Sequence, residues 1–151
     1  MDTVSAEIRS RVMAKVRSQR NRSTEWRLRS ALVRAGVRGW TLNVNEIPGT
    51  PDFVFLAERL AVFVDGCFWH GCPACKRIPS SNVEYWREKI ERNRRRDRTV
   101  CARLKKDGWK VLRIWEHQLD RADSLVARIR MLTDNGITTA KKPAARLTAG
   151  R

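Results

Sequence analysis

Three thiols fall within nine residues at Cys67, Cys72 and Cys75, in a stretch, VDGCFWHGCPAC, that also holds Asp65, Phe68, Trp69 and His70. The Cys72-Pro-Ala-Cys75 spacing is common in structural zinc sites. A tetrahedral ion needs a fourth ligand, and His70, Cys101 and His117 can each offer one. His70 is so near the thiols that one short loop would have to wrap almost the whole ion. Cys101 falls on the apolar stripe of a helix, where a cysteine serves as a small hydrophobe. His117 follows a strand that can lie beside the loop, which favours Cys67, Cys72, Cys75 and His117 as the zinc set. The bland alternative is three unmetallated thiols in a loop.

The charge points to the partner. Thirty-two Lys and Arg against sixteen Asp and Glu give a net +16 and a pI near 11.1, the balance of a protein that binds a polyanion. Only four of those bases lie in residues 138–151, so the folded part is itself basic and nucleic acid is the leading partner. Against that background three acids matter. Asp52 opens a strand directly after PGTP, Asp65 ends the next strand, and Glu25 opens a helical stretch. An isolated Pro-Asp is usually a turn cap. Carboxylates gathered beside phosphate instead suggest Mg²⁺, which takes one or two of them and fills its shell with water and substrate oxygens. Such an ion lowers the pKa of an attacking water and stabilises the departing oxygen of a phosphodiester. The common nuclease pattern continues with a lysine, but Cys67 stands at that place. His70 is the nearest base able to take a proton from water near neutral pH.

These residues need elements to hold them. Residues 5–19 carry apolar side chains at helical spacing, RNRST interrupts, and Ser23 or Thr24 can cap a second helix ending at Gly36. GWTLNV, PDFVFLA and LAVFVDG read as strands, the last two as a hairpin around Glu58-Arg59. A long helix over about 82–106, the strand GWKVLRIWE and a helix closed by Gly136 follow. The order α-α-β-β-β-α-β-α predicts an α/β domain with a mixed central sheet flanked by helices. The long helix bears ten basic residues between Arg87 and Lys106, and its inner stripe runs Trp86, Ile90, Asn93, Asp97, Cys101, Leu104. Asn93 and Asp97 need partners if buried, and Asp97 is a candidate to orient His70. Phe68 and Trp69 sit on the thiol loop, where exposed aromatics stack on or wedge between bases. No apolar run reaches the ~20 residues of a membrane span, and no signal peptide opens the chain. The expectation is a soluble cytoplasmic protein with no membrane partner.

PGTPDFVF, FVDGCFWHGCPAC, EYWREKIERNRRRDR and GWKVLRIWE, in this order and spacing, resemble the very-short-patch repair endonucleases, over roughly residues 7–120. The resemblance implies a restriction-endonuclease-like single domain over residues 1–137 with a structural zinc site. Residues 5–19 would be a DNA-contacting arm, while the composition of 138–151, rich in Lys, Pro, Ala and Gly, reads as a basic, disordered tail. It implies nicking of one strand of double-stranded DNA, 5′ to the thymine of a T:G mismatch left by deamination of 5-methylcytosine. Asp52 would bind Mg²⁺ together with the backbone carbonyl of Val64, and His70 would activate water with Glu25 assisting. Phe68, Trp69 and Trp86 would wedge into the duplex from the major groove, and Met13 would approach from the minor groove. Val64 stands where a threonine is familiar. Asp65 stands where a histidine can occur, and is a candidate additional metal ligand. The protein would be a monomer near the bacterial nucleoid, with mismatch-repair proteins as candidate partners. Two other readings stay open: a related nuclease that cuts paired DNA, and a non-catalytic zinc-stabilised DNA-binding module.

Overall fold

Side chains alternate along LAVFVD so that Leu60 and Val62 face one side of a sheet while Ala61 and Phe63 face the other, and all four are buried. A strand apolar on both faces needs a layer on each side. The computed structural model describes residues 6–134, without the side chains of residues 6, 9, 10 and 12–22. It supplies both layers. Helix α1 (Ala6–Arg34) leads to strands β1 (Trp40–Leu42), β2 (Phe53–Phe55) and β3 (Leu60–Asp65). Helix α2 (Val83–Lys106), strand β4 (Lys110–Trp115), a 3₁₀ turn (Glu116–Arg121) and helix α3 (Ala122–Asp134) complete the domain. The sheet order is β1-β2-β3-β4, antiparallel through β3 and parallel between β3 and β4, so the sheet is mixed as the sequence predicts.

Leu28 and Leu32 of α1 and Leu125 and Ile129 of α3 pack on one face against Phe53, Phe55, Leu60, Val62, Leu112 and Ile114. On the other face Leu104 and Val100 of α2 cover Val54, Ala61 and Phe63. Each of the fully buried Phe and Leu side chains contributes roughly 1.5–3 kcal/mol.

One boundary expectation was wrong. The predicted break at RNRST does not occur, and α1 runs unbroken from Ala6 to Arg34 with Thr24 buried inside it. Ser23 and Thr24 are therefore helix-interior residues, not caps. Arg, Asn, Ser and Thr each cost a helix at most about 0.7 kcal/mol, and without Pro or Gly the stretch is a weak spot and not a stop. The hairpin fell where expected: Arg59 takes a left-handed conformation (φ 51°) and its N–H donates to the Leu56 carbonyl at 3.2 Å. Among the described residues no helix is long and apolar enough to cross a membrane.

Strand register decides what gathers at the sheet's end. Phe53 lies opposite Val62, so Asp52, the residue just before β2, falls beside the end of β3. Asp65 pairs with Trp115, so Cys67 and His117, each two residues further on, leave the sheet together. Alternation turns Asp65, with Ala61 and Phe63, toward α2. Arg113, opposite Phe63, stacks on that ring at 4.7 Å and takes the same side.

Candidate active site and metal centre

A cleft of about 480 Å³ opens between the end of the sheet and α2, lined among others by Asn43, Asp52, Asp65, His70, Arg96, Asp97 and Arg113. Asp52 Oδ2 accepts the Val64 N–H at 2.7 Å, past the point where β2 stops pairing with β3. Burial pushes the Asp52 carboxyl up to about 6; the Val64 hydrogen bond opposes this, and the charges of Asp65 and Glu25 add to it. A half-buried carboxyl in a cleft with a raised pKa and acidic neighbours is a functional-site candidate.

His70 Nδ1 lies 2.6 Å from Asp97 Oδ2, the pairing suggested by the inner stripe of α2. Asp65 is paired with Arg113. Both its oxygens accept from Arg113, Oδ2 from Nε and Oδ1 from Nη2, each at 2.6 Å. The sequence points to Asp65 as a candidate metal ligand but does not reveal its pairing with Arg113. A signal existed, because an arginine in the middle of a half-buried parallel strand calls for a carboxylate partner. Asn43 was also missed. Its Nδ2 donates to Glu25 Oε2 at 3.2 Å, and through it Glu25, on α1, reaches the cleft.

The loop after β3 is a chain of turns: His70 N–H donates to the Gly66 carbonyl at 3.2 Å and Cys72 N–H to the Cys67 carbonyl at 2.9 Å. Helix α2 grips it twice, one turn apart. Asn93 Nδ2 donates to the Trp69 carbonyl at 2.8 Å, and Asp97 takes His70. Gly71 is required there, since it has φ +65° and an added Cβ would come 2.6 Å from Ile90 Cγ2. Gly71→Ala is expected to cost about 1–3 kcal/mol in denaturant unfolding, and a neutral result would disprove the tight fit.

Phe68 and Trp69 turn inward against α2. Trp69 and Trp86 are buried at 8% and 7% exposure, and Phe68 is half-buried. They pack edge to face, with ring centroids 5.0 Å apart for Phe68–Trp69, 5.2 Å for Phe68–Trp86 and 6.1 Å for Trp69–Trp86. The loop's turns fold Trp69 back against α2, where three rings bury more apolar surface together than any would in water. The Trp69 Nε1–H is buried with no acceptor among the described residues.

At the far side of the loop the ligand atoms of Cys67, Cys72, Cys75 and His117 all lie within 4.8 Å of one another, as the spacing predicted. His117 Nδ1 is 3.2 Å from Cys67 Sγ and 3.6 Å from each of the other two sulfurs. The turn that carries His117 is closed by Gln118, whose Oε1 accepts the Trp115 N–H at 2.9 Å, and Glu116 Oε2 accepts the Cys67 N–H at 3.4 Å. Burial pushes the Cys67 thiol up to about 12, and its sulfur neighbours add to this. Three sulfurs and an imidazole this close fit a tetrahedral metal. Cys101 stands apart, 3.6 Å from Arg113 Nη1. Met13 belongs to α1, but its side chain and residues 138–151 lie outside the described residues.

The mixed sheet with helices on both faces thus gathers Asp52 and the His70–Asp97 pair in one cleft at its end. The family described as "DNA mismatch endonuclease Vsr" matches residues 1–77. Over 135 residues the chain is 42% identical to "Type II nicking enzyme V.XorIIP" of Xanthomonas oryzae pv. oryzae, covering 88% of this chain and 97% of that one. It is 41% identical over 121 residues to "Type II nicking enzyme V.NmeDIP" of Neisseria meningitidis serogroup C, covering 79% and 80%. With "DNA mismatch endonuclease Vsr" of Escherichia coli it shares 39% identity over 108 residues, covering 70% and 68%. The chain belongs to the DNA mismatch endonuclease Vsr family, and it is a nuclease of that type.

Proposed function

We propose that this nuclease is Mg²⁺-dependent and nicks one strand of duplex DNA 5′ to the thymine of a T:G mismatch, and that Zn²⁺ occupies the Cys67, Cys72, Cys75 and His117 cluster. The observation that carries the reading is the 2.6 Å His70–Asp97 contact in the same cleft as the half-buried Asp52. Asp97 accepts the Nδ1 proton, which leaves Nε2 free to take a proton from water. Asp52 and the Val64 carbonyl would hold the Mg²⁺. When bound, that ion supplies positive charge to the oxygens of the scissile phosphodiester. His70 takes the proton of the attacking water, and Glu25, steadied by Asn43, assists from the cleft's edge.

Exposed arginines along α2, Arg96 at the cleft among them, suit phosphate contacts that set register on the duplex. Phe68, Trp69 and Trp86 wedge beside the mismatched pair, and α1 approaches from the minor groove through Met13. The unpaired Trp69 N–H supports this, because a buried donor without a partner costs about 1–3 kcal/mol and so lowers the cost of swinging the ring out. The mismatch preference is supported by the family description and by the Escherichia coli relative, whose name carries it. The setting is the bacterial cytoplasm, with the protein acting as a monomer at the nucleoid and mismatch-repair proteins as partners.

Duplexes carrying T:G or C:G at one site, incubated with or without Mg²⁺, test the reading. Metal-dependent nicking of one strand of the T:G duplex alone is expected. His70→Ala should lower its rate by about 10²–10⁴-fold while zinc content is unchanged. Cutting of the C:G duplex would favour a nuclease for paired DNA, and binding without cutting a non-catalytic module. Zinc loss in His70→Ala would show that the two sites are not separate.

A further inference from the structure

Arg113, like Asp65, is a charged residue of the cleft to which the proposed chemistry gives no task. Its guanidinium is already committed on three sides. Nε and Nη2 donate to Asp65, Nη1 to Cys101 Sγ at 3.6 Å, and Nη2 also lies 3.1 Å from Asp97 Oδ1. A cation held this way is not free to clamp a phosphate. Its second carboxylate is informative, because Asp97 offers one oxygen to Arg113 and the other to His70 Nδ1.

Asp65 Oδ1 lies only 3.8 Å from the same His70 nitrogen. The imidazole therefore has two carboxylates within reach, on different elements. Arg113 occupies both oxygens of Asp65 and leaves Asp97 as the partner of the ring. The same fork fixes the free oxygen of Asp97, whose terminal torsion is otherwise broad.

We propose that Arg113 is a positioning residue for nicking: anchored by Asp65, it holds Asp97 in the rotamer that orients His70 and keeps Asp65 from competing for the ring. A lysine cannot substitute, since a point ammonium does not reproduce a planar fork across two carboxylates. This inference rests on the reading of His70 as the base.

The test uses the full-length, zinc-loaded protein. The chain has two histidines, so the His70 Nδ1–H resonance of ¹⁵N-histidine-labelled protein is assigned by its loss in His70→Ala. Arg113→Met is expected to lower kcat on the T:G duplex by about 10–100-fold with KM altered less than about twofold, and to shift or broaden that resonance. Arg113→Lys should stay about tenfold below wild type. Arg113→Met strands the buried Asp65, so Asp65→Leu/Arg113→Met serves as the variant without an unpaired charge, and the same loss is expected there. Wild-type kcat and an unmoved His70 resonance in the folded double variant would overturn the proposal, as would a loss carried by KM. If His70→Ala itself nicks normally, the underlying reading fails and this role fails with it. If His70→Ala is inactive but the double variant is not, this inference alone fails.

Discussion

Asp52→Asn is expected to lower the nicking rate by about a thousandfold or more and, without added Mg²⁺, to make the protein more stable at neutral pH. Both effects follow from one observation. The carboxyl is half-buried, its pKa rises from 3.8 to about 6, and its neighbours Asp65 and Glu25 push it in the same direction. The folded chain thus holds the Asp52 proton more tightly than the unfolded chain does. The stability linked to that proton is complete below pH 3.8 and is lost as pH rises through about 6. Above that, the ionised carboxylate costs the metal-free fold on the order of 3 kcal/mol at most, which a bound cation offsets. Asparagine keeps the shape and an oxygen for the Val64 N–H, but carries no charge. Urea unfolding at pH 7.5 and at pH 4, without Mg²⁺, should show the variant ahead at the first pH and level at the second. Adding Mg²⁺ at pH 7.5 should stabilise the wild type and leave the variant unmoved. An Asp52→Asn protein that still nicks, or that gains from Mg²⁺ as the wild type does, would remove Asp52 from the metal site.

The parts of this molecule legible in the sequence are those written in local pattern. Alternation in LAVFVD and VLRIW, the turn at Glu58-Arg59 and the apolar stripe of α2 were readable because each depends on neighbours within a few residues. The cysteine spacing was legible for the same reason, and the choice of His117 over His70 needed only that two strands be adjacent. What was not legible depends on registers between distant segments. Arg113 meets Asp65 because β3 and β4 pair in parallel with Phe63 opposite Arg113, 50 positions away along the chain. No spacing rule encodes that. The burial of Trp69 was not legible because it comes from α2, through Asn93 and the Trp86 ring, and not from the loop it belongs to. The break expected in α1 was a local error of magnitude: several weak helix formers were read as a stop.

The second large effect should come from the metal cluster. Cys72→Ser is expected to release the bound zinc and lower nicking at least about a hundredfold while leaving most helical signal intact. The loop from Gly66 to Asn82 contains no helix or strand and is fastened by the Cys67–Cys72–Cys75–His117 cluster, two α2 side chains and the aromatic cluster. His70 and Trp69 lie inside that span, so whatever holds the loop also sets the geometry of the cleft. Cys72 is the most buried of the ligands, at 2% exposure, and cannot be replaced by solvent without opening the loop. The packing of α1 and α3 on the opposite face of the sheet does not involve these residues, which is why the fold should outlast the loop. Zinc measured per protein, circular dichroism, nicking rate and proteolytic cleavage within residues 66–82 read the four consequences separately. Cys101→Ser is the control: its thiol lies outside the cluster, and serine keeps an acceptor for Arg113, so zinc and activity should remain. Retention of zinc and activity in Cys72→Ser, or zinc loss in Cys101→Ser, would mean that the four residues brought together at the end of the sheet are not the site that holds the loop.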